Sequence, residues 1–285
     1  MSSIKNYNLT QRDLQIPGLV EDYHLLSTSQ IKELMFPTLQ KAQTRLKRVW
    51  EAGLVKRFQY PVLLIEGGKG EYIYHKGRKP KLSFTGLLHT LQLNDLRIAF
   101  ELACKNSARV NMVGFIPEYR AVVDEKGLIK RVVEDVAMAR DQDGSGQEKR
   151  FIPDAVTCLE NPANKKKILL FIELDLATEK LVSEKTEKYS VMKKMMLYRD
   201  YQRQKGFERY NRTFDYLFKG FRVLIVMNNQ RRIQMLRKEL TLRGIEKFVW
   251  FGEREVISQK TVFDDIWNIA NIRNKKRHSI LGNRE

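Results

Sequence analysis

The run KKILLFIELDL, residues 166–176, constrains this chain more than any other stretch. Its five consecutive apolar residues, Ile168–Ile172, read as a buried strand; no longer apolar run exists, so nothing here is expected to span a bilayer. The strand closes on Glu173-Leu174-Asp175. Side chains alternate along a strand, so the two carboxylates share one face and Leu174 takes the other. Further strands are expected at 115–123 (FIPEYRAVV), 150–160 (RFIPDAVTCLE), 221–227 (FRVLIVM) and 247–251 (KFVWF). Helices are expected near 184–204 and 230–243. Strands alternating with helices give residues 110–270 a mixed α/β sheet.

Residues 1–83 follow a different pattern. STSQIKELMF (27–36) opens on hydroxyl caps and spaces Ile31, Leu34 and Met35 as a helix, which Pro37 ends. TLQKAQTRLKRVWEAG (38–53) is a second helix, with Leu39, Ala42, Leu46 and Val49 on one face and Gly53 as its stop. Its other face carries Gln40, Lys41, Gln43, Thr44, Lys47 and Arg48. Strand-like pieces at 54–60 and 70–77 flank a turn at Gly67–Gly68. Helix, turn, helix and hairpin together predict a winged helix-turn-helix. A long apolar helix, 84–105, follows, and IRNKKRHSILGNRE reads as a basic tail.

Charge selects the partner. Lys and Arg number 52 against 34 Asp and Glu, a net +18, which points first to nucleic acid and then to an anionic membrane surface. The charge is spread along the chain rather than gathered on one amphipathic helix, which disfavours the membrane. Residues 1–83 hold 14 basic against 7 acidic residues. The polar face of helix 38–53 (Lys41, Thr44, Arg45, Lys47, Arg48) can enter a major groove, and Arg57, Lys76 and Arg78 can meet phosphates beside the wing. A solvated helix face, or a surface for another protein, remains the plain alternative.

Several chemistries are excluded. Cys104 and Cys158 sit in apolar stretches and read as reduced packing residues, so no cysteine zinc site forms. The four histidines, His24, His75, His89 and His278, lie far apart in sequence, and no His-x-His pair exists. Gly67-Gly68-Lys69-Gly70 lacks the spacing of a phosphate loop, and no serine elbow occurs. The start, MSSIKNYNLTQRD, has no secretory signal pattern, so a cytoplasmic location is expected.

One constellation remains. Pro153-Asp154 lies 19 residues before Glu173. If the two strands are neighbours, Asp154 faces Glu173 and Asp175, and three hard oxygen ligands suit Mg²⁺ or Mn²⁺. The competing reading is a strand end emerging into solvent, where acids are common.

LTQRD (9–13), RLKRVWEAGLVKR (45–57), LLHTLQLNDLRIAF (87–100), IPDAV (152–156) and FIELDLATEK (171–180) resemble the replication-relaxation proteins of plasmids. They are also similar to the MobC group of plasmid relaxases, whose catalytic domain is like PD-(D/E)xK restriction endonucleases. The resemblance implies that Asp154 and Glu173 are metal ligands and catalytic residues. Asp175 stands where the endonucleases carry lysine, and Lys194, followed by Tyr198, is the candidate to replace it. Glu118 in FIPEYR is a further candidate carboxylate.

The fold expected is α/β (α+β): a winged helix at 1–83, a connecting helix at 84–109, a restriction-endonuclease-like domain at 110–275 and the tail 276–285. The function implied is binding of double-stranded DNA at a specific plasmid or transfer-origin site, with metal-assisted nicking of one strand. Relaxosome or coupling proteins are the expected partners, a homodimer is left open, and no membrane insertion is expected. The alternative is a non-catalytic DNA-binding replication or regulatory protein with a degenerate nuclease-like domain.

Overall fold

The structure, a computed structural model, describes residues 8–64, 70–77, 79, 82–123, 129–133, 137–140, 147–176 and 190–282. The chain divides into two compact units, one of Met1–Ile98 with Arg120–Val132 and one of Ala99–Tyr119 with Val133–Glu285.

The first unit opens with α1, Gln11–Asp22, which sequence pattern alone does not assign because Pro17 stands inside it. Its start is fixed by a capping box: the Thr10 side chain accepts from the Asp13 backbone N–H, and Asp13 Oδ2 accepts from Thr10 N at 2.7 Å. A short β1, Leu26–Ser27, leads into α2, Thr28–Met35, through a second capping box of Ser27 and Gln30. Thr38 caps α3, Leu39–Glu51, which buries Ala42, Leu46 and Val49. Gly53 takes φ +73° where the chain leaves α3, a conformation that glycine adopts without strain. The hairpin of β2, Lys56–Leu64, and β3, Gly70–His75, then forms a three-stranded antiparallel sheet in the order β1-β3-β2. These are the elements in the order expected for residues 1–83, with α1 and β1 added. The expected Gly67–Gly68 turn lies outside the described residues.

α4, Phe84–Lys105, matches its expected span and passes from the first unit into the second. Within the first unit, Gln30 Nε2 donates to Leu91 O at 2.7 Å and Asn94 Nδ2 donates to Leu25 O at 2.5 Å. Ile73 and Leu25 pack with Leu87 and Leu91, so one face of the hairpin is buried against α4.

The second unit is built on seven strands. After β4, Asn111–Pro117, the chain forms β5, Tyr119–Val123, paired with β6, Ile129–Val133, a separate two-stranded sheet that falls almost wholly in the first unit. The single strand expected over 115–123 is therefore two, divided at Glu118. A further two-stranded ribbon joins β7, Ala137–Arg140, to β8, Glu148–Phe151. Next come β9, Ala155–Glu160, and β10, Lys167–Asp175. The expected strand 150–160 is also broken, because Pro153 has no N–H to continue a ladder. After α5, Val191–Arg203, and the short α6, Tyr210–Phe214, the chain forms β11, Arg222–Met227, α7, Gln230–Leu242, and β12, Val249–Glu253. β13, Trp267–Ile269, and β14, Arg277–His278, finish the sheet.

The sheet order is β14-β13-β12-β11-β10-β9-β4, with β10, β11 and β12 parallel and the other pairs antiparallel. This is the mixed sheet the sequence calls for. The basic tail is a correction: Arg277–His278 pair with β13, Ile280 is 0% exposed and Ser279 Oγ donates to Phe263 O at 2.7 Å. Charge count hid two residues, Ser279 and Ile280, that the core recruits.

β10 is buried on both faces. Leu169 and Phe171 join the aromatic cluster of Tyr198, Tyr201, Tyr210 and Phe221 beneath α5, while Leu170 and Ile172 are buried on the reverse. Phe171 lies at the centre, edge-on to four rings whose centroids are 4.7–6.0 Å away. That packing fixes β10 and α5 together, and with them the side chains that follow.

Candidate functional site

Phe171, Glu173 and Asp175 follow one another on the same face of β10, as strand alternation requires. Glu173 is therefore aimed at α5, whose inner face carries Lys194 and Tyr198 at i, i+4 spacing. Lys194 Nζ donates to Glu173 Oε2 at 2.5 Å, and the buried Tyr198 hydroxyl donates to Glu173 Oε1 at 2.5 Å. Asp154 sits at the bend just before β9. Ala155 is the register partner of Ile172, so Asp154 comes beside Glu173 from the neighbouring strand. There Asp154 Oδ2 accepts from Leu174 N at 2.7 Å, continuing by side chain the ladder that Pro153 interrupts. Its other oxygen, Oδ1, lies 3.6 Å from Lys194 Nζ.

Each carboxylate thus spends one oxygen internally and turns the other to the same cation. Burial pushes the Glu173 carboxyl up to about 8 and the neighbouring charge of Asp154 adds to this, against the pull of Lys194 and Tyr198. Burial alone would lower the Lys194 ammonium, but Glu173 and Asp154 more than reverse it, with Glu118 contributing, so its affinity for the proton is raised. Tyr198, buried beside Glu173, is raised as well and keeps its proton. Glu118 follows β4, and its backbone N–H donates to Asp154 O at 2.8 Å.

Asp175 departs from the expected three-carboxylate set. It shares the face of Glu173, but Arg232 of α7 engages its Oδ2 from Nε at 3.0 Å and Nη2 at 2.8 Å. Arg232 lies 57 residues further along the chain, and no local pattern announces it. Among the described residues no three His, Cys, Asp or Glu side chains gather as metal ligands. Two do converge, Asp154 and Glu173. A hard divalent ion needs only one or two protein carboxylates when waters and phosphate complete its shell. Glu173, buried and reluctant to ionise, favours added positive charge. The donor set therefore fits Mg²⁺ or Mn²⁺ with two ligands rather than three.

In the first unit, Lys41, Thr44 and Lys47 lie exposed on α3 opposite its buried stripe, and Arg48 is half-buried. Arg45 is turned inward: its guanidinium pairs with Asp13, which is 0% exposed, and donates to Asn8 O at 3.1 Å. It fastens α3 to α1 and is not offered on the exposed face of α3. Arg57 is stacked between Trp50 and Tyr72. Lys76 Nζ is 2.6 Å from Glu21 Oε2 at an exposed position. Arg78 lies outside the described residues.

The family model described as replication-relaxation matches residues 75–217, half of the chain. The chain belongs to the replication-relaxation family. Membership gives this replication-relaxation protein a role in plasmid replication or mobility. The matched span contains Asp154, Glu173, Asp175 and Lys194, whereas α3 and Arg232 fall outside it. No curated protein and no solved structure matches the chain. No helix among the described residues is long and apolar enough to cross a membrane.

Proposed function

We propose that this replication-relaxation protein binds double-stranded DNA at a specific plasmid or transfer-origin site and nicks one strand by metal-assisted phosphodiester hydrolysis. The observation that supports it is Lys194 held against Asp154 and Glu173, 2.5 Å from one carboxylate and 3.6 Å from the other. The resemblance to nucleases calls for two acids and a lysine, and α5 supplies the lysine that position 175 lacks.

Asp154 Oδ1 and Glu173 Oε2 are the oxygens that would hold Mg²⁺ or Mn²⁺. Such an ion, when bound, polarises a phosphate oxygen and lowers the pKa of a water it holds. The rest is the work of the chain. Leu174 N and the Tyr198 hydroxyl each anchor the inner oxygen of a carboxylate, so only the outer oxygens, turned to Lys194, would exchange that cation for the metal as Lys194 swings aside. Lys194 keeps its proton at neutral pH, so it serves as a fixed positive charge and hydrogen-bond donor to a phosphate or attacking water, not as a base. Asp175 orients Arg232 at the end of the same strand face.

Duplex recognition belongs to the winged helix, whose α3 presents Lys41, Thr44 and Lys47 to the groove, with Arg48 at its margin and Arg57 and Lys76 toward the phosphates. The ion pair Asp175–Arg232 favours a second reading, a DNA-binding protein without chemistry, because it closes off the position where the endonucleases carry lysine.

The test is conversion of supercoiled plasmid bearing the protein's own site to open circles, with and without Mg²⁺ or Mn²⁺. Glu173→Gln and Asp154→Asn should abolish conversion while leaving duplex binding intact. A wild-type protein that produces no open circles with either metal, with relaxosome partners supplied, would leave the DNA-binding reading standing.

A further inference from the structure

The hairpin of the first unit has two unlike faces. Phe58 and Ile73 pack toward Leu87 and Leu91, and alternation sends Arg57 and Tyr72 to the opposite side. Arg57 is paired across the ladder with Tyr74 and lies diagonal to Tyr72. The turn at Gly53 brings the last full turn of α3 over the same spot. The Arg57 guanidinium carbon stands 3.8 Å from the Trp50 ring centroid and 3.9 Å from that of Tyr72. It also faces the hydroxyl of the buried Tyr74.

This arrangement restricts what Arg57 can do. The guanidinium lies close over two rings, which leaves little room for a base to stack on it; the part of its N–H edge not given to Tyr74 is left to meet a ligand. That edge matches paired oxygen acceptors. The side chain is already ordered by two rings, so engaging a ligand costs little further conformational entropy. Trp50 remains 39% exposed, so the ladder stands at the surface rather than inside a core. Exposed Lys56 and Lys79, the latter 4.4 Å from the Phe58 ring centroid, lie on the Phe58 face of the hairpin and leave Arg57 as the cation of its own face among the hairpin's described residues. The nearby acid Glu71 is turned to Ser29 N, 2.7 Å away.

We propose that Trp50, Arg57 and Tyr72 form a duplex-DNA contact in which Arg57 gives its in-plane edge to a backbone phosphate. The contact rests on the DNA-binding reading above. A phosphate is favoured over a base because Lys41 and Thr44, earlier in α3, occupy the groove-facing positions. The end of the helix and the start of the hairpin border the groove, where the backbone runs.

Binding of the full-length chain to a duplex carrying its plasmid site, followed by fluorescence anisotropy over a salt series, tests the proposal. Arg57→Gln should weaken binding by roughly ten- to a hundredfold and make the slope against log[salt] shallower by about 0.9. Trp50→Ala keeps every charge, so it should lower affinity at an unchanged slope. If Arg57→Gln does not fold, Arg57→Lys carries the test: lower affinity with the slope retained, where a purely structural ladder would leave affinity unchanged. A folded Arg57→Gln with wild-type slope overturns the proposal, and so does a loss confined to one base-pair position among substituted duplexes. A wild-type chain that binds no duplex removes the DNA-binding reading itself, and is distinguished by failing before any variant is compared.

Discussion

Replacing Lys194 by methionine removes the cation that two carboxylates share while keeping most of the side chain's volume. Breaking a buried ion pair by deleting one partner costs about 3–5 kcal/mol. The lower end applies here, about 3 kcal/mol and reached only toward pH 8 and above where Glu173 is ionised, because the Lys194 side chain is 27% exposed and water shares the load. The pH dependence follows from Glu173, whose carboxyl is raised from the ordinary 4.5 to about 8 by burial. A group raised on folding contributes stability that is fully present below its unfolded pKa and lost as the pH rises. In the wild type the loss runs from about 4.5 to about 8 and then levels off. Without Lys194 the carboxyl is raised further, so the variant goes on losing stability beyond pH 8. The gap between the two proteins should widen there by up to about 1.4 kcal/mol per pH unit. Urea denaturation from pH 5 to pH 9 reads both effects, and Mn²⁺ should restore stability to the variant more than to the wild type. Parallel stability curves across that range, with no response to Mn²⁺, would refute Lys194 as the shared counter-charge.

Replacing Lys41, Lys47 and Arg48 together by alanine should weaken duplex binding and flatten its salt dependence by roughly 0.9 for each phosphate no longer neutralised, read by anisotropy in a folded variant. Arg45→Met should destabilise the first unit by about 3 kcal/mol at neutral pH, because it leaves Asp13 buried without its cation. Burial opposes the Asp13 charge, but Arg45 and Thr10 outweigh it and hold its carboxyl below 3.8; the wild-type advantage should therefore fade in melts as the pH falls below about 4. Asp175→Lys should destabilise more than Asp175→Ala, since a lysine there meets Arg232, and neither should match Glu173→Gln in its effect on Mn²⁺ binding measured by calorimetry.

The sequence carries the site unevenly. Alternation alone puts Glu173 and Asp175 on one face, and the apolar run around Phe171 marks the strand that holds them. The i, i+4 spacing of Lys194 and Tyr198 lies in a helix expected near 184–204, whose N-cap in the structure is Ser190. What escapes is any pairing made across a long separation. Asp175 resembles a ligand because the cation that engages it is 57 residues away in sequence; Arg232 reaches it only once α7 packs on β11 and α5. Arg45 resembles part of an exposed polar face, since helical spacing cannot reveal that Asp13 waits buried on α1. α1 itself is obscured by Pro17, although Thr10 and Asp13 already spell a capping box. Basic composition likewise conceals β14, where the backbone pairing of Arg277–His278 and the burial of Ile280 matter more than charge.

Asp154 does two jobs with its two oxygens, and this has an evolutionary consequence. Its Oδ2 holds the Leu174 amide, so losing Asp154 damages the junction of two central strands whether or not any phosphodiester is cut. Glu173 and Lys194 are different: a buried acid raised to about 8 is a burden on the fold that apolar substitution of the pair could relieve. If the proposed nicking holds, a lineage that abandoned it would be expected to keep the aspartate and let the glutamate and lysine drift together toward apolar residues. Among descendants of this chain, retention of Asp154 would say little about chemistry, and joint retention of Glu173 and Lys194 would mark continued selection for it.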